Sequence, residues 1–221
     1  TPFCYSVFAP TCNCAYLFLE SVNVKTLPDN IVYDMNSLKK LEVVNCNLTT
    51  LPKNMEHLKL MAWIDLSYNK LTEFNVDVKE WVYLTRLYFQ FNNISTYNME
   101  SICQHSALKY LLANDNPNFV ISNTVEIHMP MLVWLDLRNN SMQLPNKFGK
   151  DQFPAILGLY LSGNNLNTFP GNFDTLNNNL LYMYIARCQI YTLPSYLSTF
   201  KFLLGFDARN NNISVADSTF L

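Results

Sequence analysis

The chain has 221 residues, 49% hydrophobic and 14% charged, with a net charge of −2. That length supports a sizeable core, while a pI near 5.9 excludes the basic surplus that nucleic-acid binding demands. Only five glycines remove most of the loops that cradle phosphates, and no run of about 18 apolar residues is present to span a membrane.

The first residues, TPFCYSVFAPTCNC, carry Cys4, Cys12 and Cys14, half of the six cysteines. Thr1-Pro2-Phe3 is unlike a signal peptide, which suits a mature form whose leader has been removed. From Cys14 onward a single pattern restarts at Leu38, Met61, Leu84, Leu108, Leu132, Ile156, Leu180 and Leu203, at intervals of 23 or 24 residues. It reads most clearly in Met61–Phe74, MAWIDLSYNKLTEF. Ile64 and Leu66 alternate with Asp65 and Ser67, as in a half-buried strand. Asn69 follows where the chain turns away, and its amide can bond the open backbone of an adjacent turn. Leu71 and Phe74 then point back into the same core. No single turn of this kind buries its apolar face, so the turns must stack.

This L-x-x-L-x-L-x-x-N-x-L-x-x-L pattern resembles the leucine-rich repeat. The resemblance implies a curved α/β solenoid of about nine turns over residues 14–221, with a concave parallel sheet, behind a cap at 1–13. The ladder position reads Val22, Cys46, Asn69, Asn92, Asn116, Asn140, Asn164, Cys188 and Asn211. Cysteine is the family's substitute there, so Cys46 and Cys188 are expected free and buried. The cap is similar to those of secreted and receptor-type members, with C-x-C beside the first strand. Their fourth cysteine is missing here, where Leu17-Phe18-Leu19 stands. The family's first-to-third pairing implies a Cys4–Cys14 disulfide, with Cys12 left over. Reading Cys12-x-Cys14 as half a zinc site requires two more ligands nearby, and His57, His105 and His128 are scattered through later repeats. No metal and no cofactor are expected.

After each strand, a Leu-Pro or Phe-Pro pair marks the departure to the convex side in five turns, as at Leu51-Pro52 and Leu193-Pro194. Proline has no N–H and a preset φ, which suits that point. The segments 53–59, 76–82, 99–106 and 195–202 each have room for one short helical turn. Phe148 and Phe173 lie three residues after such a proline, where the resemblance to extracellular repeats implies a core aromatic. Cys103 is expected in the core. The repeat from Leu108 is irregular after Asn116-Pro117. No cap-like segment closes the far end, so either the sequence is expected to be cut short there or another chain to cover that edge.

The register also dictates which side chains face away from the core, because they alternate along each strand. They include Trp63, Tyr88, Tyr110, Leu112, Trp134, Tyr160, Tyr182 and Tyr184, flanked by Asp136 and Arg138. A solvated face would be mostly charged and small polar; an exposed apolar patch marks a contact site, and Tyr, Trp and Arg are the residues enriched in hot spots. No G-x-S-x-G, H-E-x-x-H, phosphate loop or dinucleotide fingerprint is present, so no enzyme is expected.

Four sequons begin at Asn47, Asn93, Asn139 and Asn212. In so Asn-rich a chain that count arises by chance, so the cysteine-bearing cap is the better sign of an oxidising compartment. The reading is an extracellular or cell-surface recognition or scaffolding module that binds a protein through its aromatic strip. Carbohydrate is a second ligand class. The alternatives are a structural subunit of an extracellular or lumenal assembly and a cytoplasmic adaptor.

Overall fold

The computed structural model describes residues 13–170 and 172–214. Nine strands, Tyr16–Glu20, Lys40–Val44, Trp63–Asp65, Arg86–Tyr88, Tyr110–Leu112, Trp134–Asp136, Gly158–Tyr160, Tyr182–Tyr184 and Gly205–Asp207, form one open sheet in sequence order. Every neighbouring pair is parallel and in register, so Lys40, Trp63, Arg86, Tyr110 and Trp134 lie side by side. Equivalent residues therefore stack in columns about 4.8 Å apart. The inward column, Leu41, Ile64, Leu87, Leu111, Leu135, Leu159 and Met183, is buried along its length.

The return segments close the core on the other side. Each of the four segments with room for a helical turn holds one: Met55–His57, Val78–Glu80, Met99–Cys103 and Ser195–Thr199. Ile31–Asp34 and Phe173–Asn178 add two more. Asp77 and Asn98 cap their turns, their side chains accepting from the N–H groups of Lys79 and Ser101, which satisfies donors that so short a helix leaves open. Phe148 and Phe173 are fully buried, as their place after proline implies. The irregular stretch after Asn116 has no helix, and Phe119, Ile121, Ile127 and Met129 fill the core there.

The asparagine ladder joins turn to turn. Asn164 Oδ1 accepts from the N–H groups of Asn140 and Met142, both at 3.1 Å, and its Nδ2 donates to the carbonyls of Leu137 at 2.8 Å and Leu161 at 2.7 Å. Asn69, Asn92, Asn116 and Asn140 are likewise buried and bonded to backbone of the preceding turn. Cysteine does half of this. The Cys188 thiol donates to Leu161 and Ala186 carbonyls, and that of Cys46 to Leu19 and Val44, but sulfur is a weak acceptor. In both cysteine turns the preceding turn's N–H instead reaches the cysteine's own carbonyl: Val24 to Cys46 at 2.9 Å and Leu166 to Cys188 at 3.1 Å. Where the next turn has asparagine, the equivalent N–H, that of Leu48, bonds the Asn69 side chain.

One backbone feature escaped the sequence reading. The residue before each ladder position has φ between 54° and 77°: Ser21, Asn45, Tyr68, Phe91, Asp115, Asn139, Gly163, Arg187 and Asn210. That left-handed turn lets the chain leave the sheet, and the Asn, Asp and Gly in the column are the residues that tolerate it.

The thiols of Cys46, Cys103 and Cys188 are buried, as expected. Burial pushes Cys103 up to about 12 and raises Cys188. Cys14 is half-exposed, and its free thiol donates to the Tyr16 carbonyl at 3.0 Å. Cys4, its expected disulfide partner, lies outside the described residues, as does Cys12. A buried thiol is out of reach of reagent and inert, so native alkylation is expected to spare Cys46, Cys103 and Cys188 until the protein is unfolded. Peptide mass mapping before and after denaturant checks this.

Candidate functional site: the strand face

The in-register sheet brings the expected residues together in two columns. Tyr110, Trp134 and Tyr182 belong to the first, and Tyr88, Leu112, Tyr160 and Tyr184 to the second. All are half-buried. Their rings pack on one another across turns. Trp134 stacks on Tyr160 at 4.8 Å and lies 6.1 Å from Tyr182, and Tyr160 meets Tyr184 at 4.9 Å. Glycine makes room for this. A Cβ on Gly158 would come within 2.7 Å of the Trp134 ring, so the indole leans over a gap in its own column. Burial, then the neighbouring Tyr184 and Asp136, push the Tyr160 phenol up to about 12.

The first turns are organised differently. Lys40 Nζ lies 3.5 Å from the Trp63 ring centre, and the Arg86 guanidinium sits between Trp63 at 4.7 Å and Tyr110 at 5.2 Å. Cation and aromatic thus alternate along the column, an arrangement worth about 0.5–2 kcal/mol per contact depending on desolvation.

Carboxylates occupy the second column at Glu42, Asp65, Asp136 and Asp207. Asp136 corrects a sequence expectation. It is only 4% exposed, because its oxygens accept from Arg138 Nε at 2.9 Å and Nη2 at 2.5 Å and from the Arg138 N–H. What the face presents there is the exposed Arg138 guanidinium. Arg209 is held by Asp207 in the same way, at 2.9 Å for both side-chain bonds, and that pair lowers the Asp207 carboxyl below its usual range. Asp65 accepts from the Ser67 N–H instead, and burial raises its pKa.

Two neighbouring features were not foreseen. Tyr68 and Phe91 stack in parallel, 4.4 Å apart, at 51% and 41% exposure, although both occupy left-handed positions. The third outward column is small and buried at Ser67, Asn114, Ser162 and Ala186. The signal for that column was its residue size, which alternation alone ignores. The four sequon asparagines, Asn47, Asn93, Asn139 and Asn212, are all exposed. Among the described residues no group of three or more His, Cys, Asp or Glu gathers as a metal site, and no helix is long and apolar enough to cross a membrane.

No protein-family model matches the chain, and no curated protein does. Solved structures match by shape. TLR13, solved as a complex with ssRNA13, superposes with a TM-score of 0.73 at 23% identity, covering 92% of this chain and 29% of its own. The leucine-rich repeat domain of the type III effector XopL gives 0.64 at 20% identity, covering 88% and 76%. The functional domain of InlJ from Listeria monocytogenes gives 0.63 at 17%, covering 90% and 47%. With nine in-register parallel strands and a buried asparagine ladder, the fold is a leucine-rich repeat solenoid. The chain spans under a third of the TLR13 chain and 61% of a Leptospira interrogans leucine-rich repeat protein that it also resembles.

Proposed function

We propose that this protein is a non-enzymatic recognition or scaffolding module of the extracellular space or cell surface, and that it binds a protein partner through the aromatic strip. The observation that carries this reading is the Trp134–Tyr160–Tyr184 stack with Tyr182 beside it, half-open on a face whose register keeps it out of the core. Turning it inward needs a one-residue slip that would expose a row of leucines. Protein is favoured over nucleic acid, such as the RNA of the TLR13 complex, on charge. The chain has 15 Lys and Arg against 17 Asp and Glu, and on the strand face Lys40, Arg138 and Arg209 are each tied to a carboxylate.

Contact centres on Tyr88, Tyr110, Leu112, Trp134, Tyr160, Tyr182 and Tyr184. Trp134→Ala is expected to weaken partner binding by about 2 kcal/mol, close to 30-fold, in a pull-down titration from the native source. Charge reversal at convex Lys53 or Lys79 is expected to leave it unchanged. A photo-cross-linker at Tyr110 should capture the partner that one at Lys53 misses. A complex that leaves Trp134 and Tyr160 open to solvent would end this reading.

For the secretory location, glycans are expected at Asn93 and Asn212. Asn139 is the poorest acceptor of the four: its Nδ2 donates to Asp115 at 2.9 Å, and its side chain packs against Gly163. Native protein showing no glycosidase-sensitive mass shift would remove this support.

A further inference from the structure

A depression of about 500 Å³ lies on the strand face of the last four turns, within the size range of small-ligand sites. The third outward column builds it. Ser162 and Ala186 form a small, buried floor, while the same column holds Arg138 on one side and Arg209 on the other. Tyr160 and Tyr184 make one wall, and Asn139, Arg187 and Asn210 the opposite rim.

The two outer guanidiniums are pre-positioned. Their bonds to Asp136 and Asp207 use Nε and Nη2, which leaves each Nη1 edge to donate elsewhere. Those carboxylates also neutralise the two arginines, and Asp115 stands beyond Asn139. Arg187 is different: it forms no ion pair among the described residues, so the pocket keeps a cation without a direct partner. Ser162 Oγ accepts from the Ala186 N–H at 3.0 Å, which leaves its hydrogen to donate.

We infer that this pocket binds a carboxylated saccharide, a uronate-bearing unit of one or two sugars. The Tyr160–Tyr184 wall takes the apolar face of a pyranose ring. Ser162 and Asn210 meet hydroxyl groups, and Arg187 with the free edge of Arg209 takes the carboxylate. One unpaired cation matches a singly charged carboxylate. The pocket shares Tyr160 and Tyr184 with the proposed protein-contact strip, but free sugars test it without any protein partner, so the two readings fail separately.

The experiment is a calorimetric titration of the full chain with methyl galacturonide, which carries one carboxylate, and with its carboxyl-reduced, neutral counterpart, methyl galactoside. A charge-assisted hydrogen bond is worth about 1.5–3 kcal/mol, so the neutral sugar is expected to bind at least about tenfold more weakly. Arg187→Gln, at an exposed and unpaired position, should fold normally and lose a similar factor for the acidic sugar alone. Ala186→Leu, which fills the floor, should abolish binding of both, with Lys53→Gln as the unaffected control. Equal affinity for the two sugars, undiminished binding by Arg187→Gln, or no heat from either at millimolar concentration would each overturn the inference.

Discussion

Replacing Asn164 by Ala is expected to destabilise the protein by about 4 kcal/mol, on a par with Asn69→Ala, whose side chain bonds five backbone groups. The side chain serves four backbone groups, and three of them have no second partner among the described residues: the N–H groups of Asn140 and Met142 and the carbonyl of Leu137. The Leu161 carbonyl keeps the Cys188 thiol as a donor. Each buried group left without a partner costs about 1–3 kcal/mol. Asn140→Ala removes two bonds, to the Asn116 N–H and the Ala113 carbonyl, and should cost about half as much on the same scale. Urea unfolding of the two variants gives the comparison. Because a solenoid can open turn by turn, hydrogen exchange should show the loss centred on Asn140 and Met142. Equal midpoints would mean that the bond count does not set the cost.

Trp81→Ala is expected to cost about 3–5 kcal/mol, the usual range for deleting a fully buried large aromatic. Trp81 has no exposed surface. It ends the Val78–Glu80 turn, where its N–H bonds the Val78 carbonyl at 3.0 Å and its own carbonyl accepts from Leu84 at 2.7 Å. Its indole Nε1 donates to the Met55 carbonyl in the preceding turn at 3.3 Å. The substitution therefore removes packing and a tie between turns at once. Trp81→Phe keeps most of the volume, and the Met55 carbonyl keeps the Leu58 N–H at 3.0 Å, so it should cost only about 1 kcal/mol, the net worth of one hydrogen bond. Leu84 leads directly into Arg86, so the alanine variant should also loosen the Arg86 clamp between Trp63 and Tyr110. A thermal midpoint for Trp81→Ala within a degree or two of the parent would show that the convex packing carries little of the stability.

The sequence by itself determined the repeat. The leucine spacing, the ladder asparagines and the strand alternation follow one local rule restated in every turn, so the register, the buried ladder and the membership of the outward columns were all legible. Cys46 and Cys188 were legible as ladder residues for the same reason, and the buried Phe148 and Phe173 through the family resemblance. Only the tertiary structure decided how neighbours 23 to 27 residues apart share space. The lean of Trp134 over Gly158 depends on a gap in another turn. The burial of Asp136 depends on Arg138 folding back two residues rather than reaching outward. The left-handed column was half-visible in Asn45, Asp115, Asn139, Gly163 and Asn210, but Tyr68, Phe91 and Arg187 adopt it against their preference because the sheet edge imposes it. The pocket over Ser162 and Ala186 exists because small residues in two turns lie between arginines in the turns on either side. Alternation says which way a side chain points, whereas rotamer choice among several cross-turn neighbours decides what it touches.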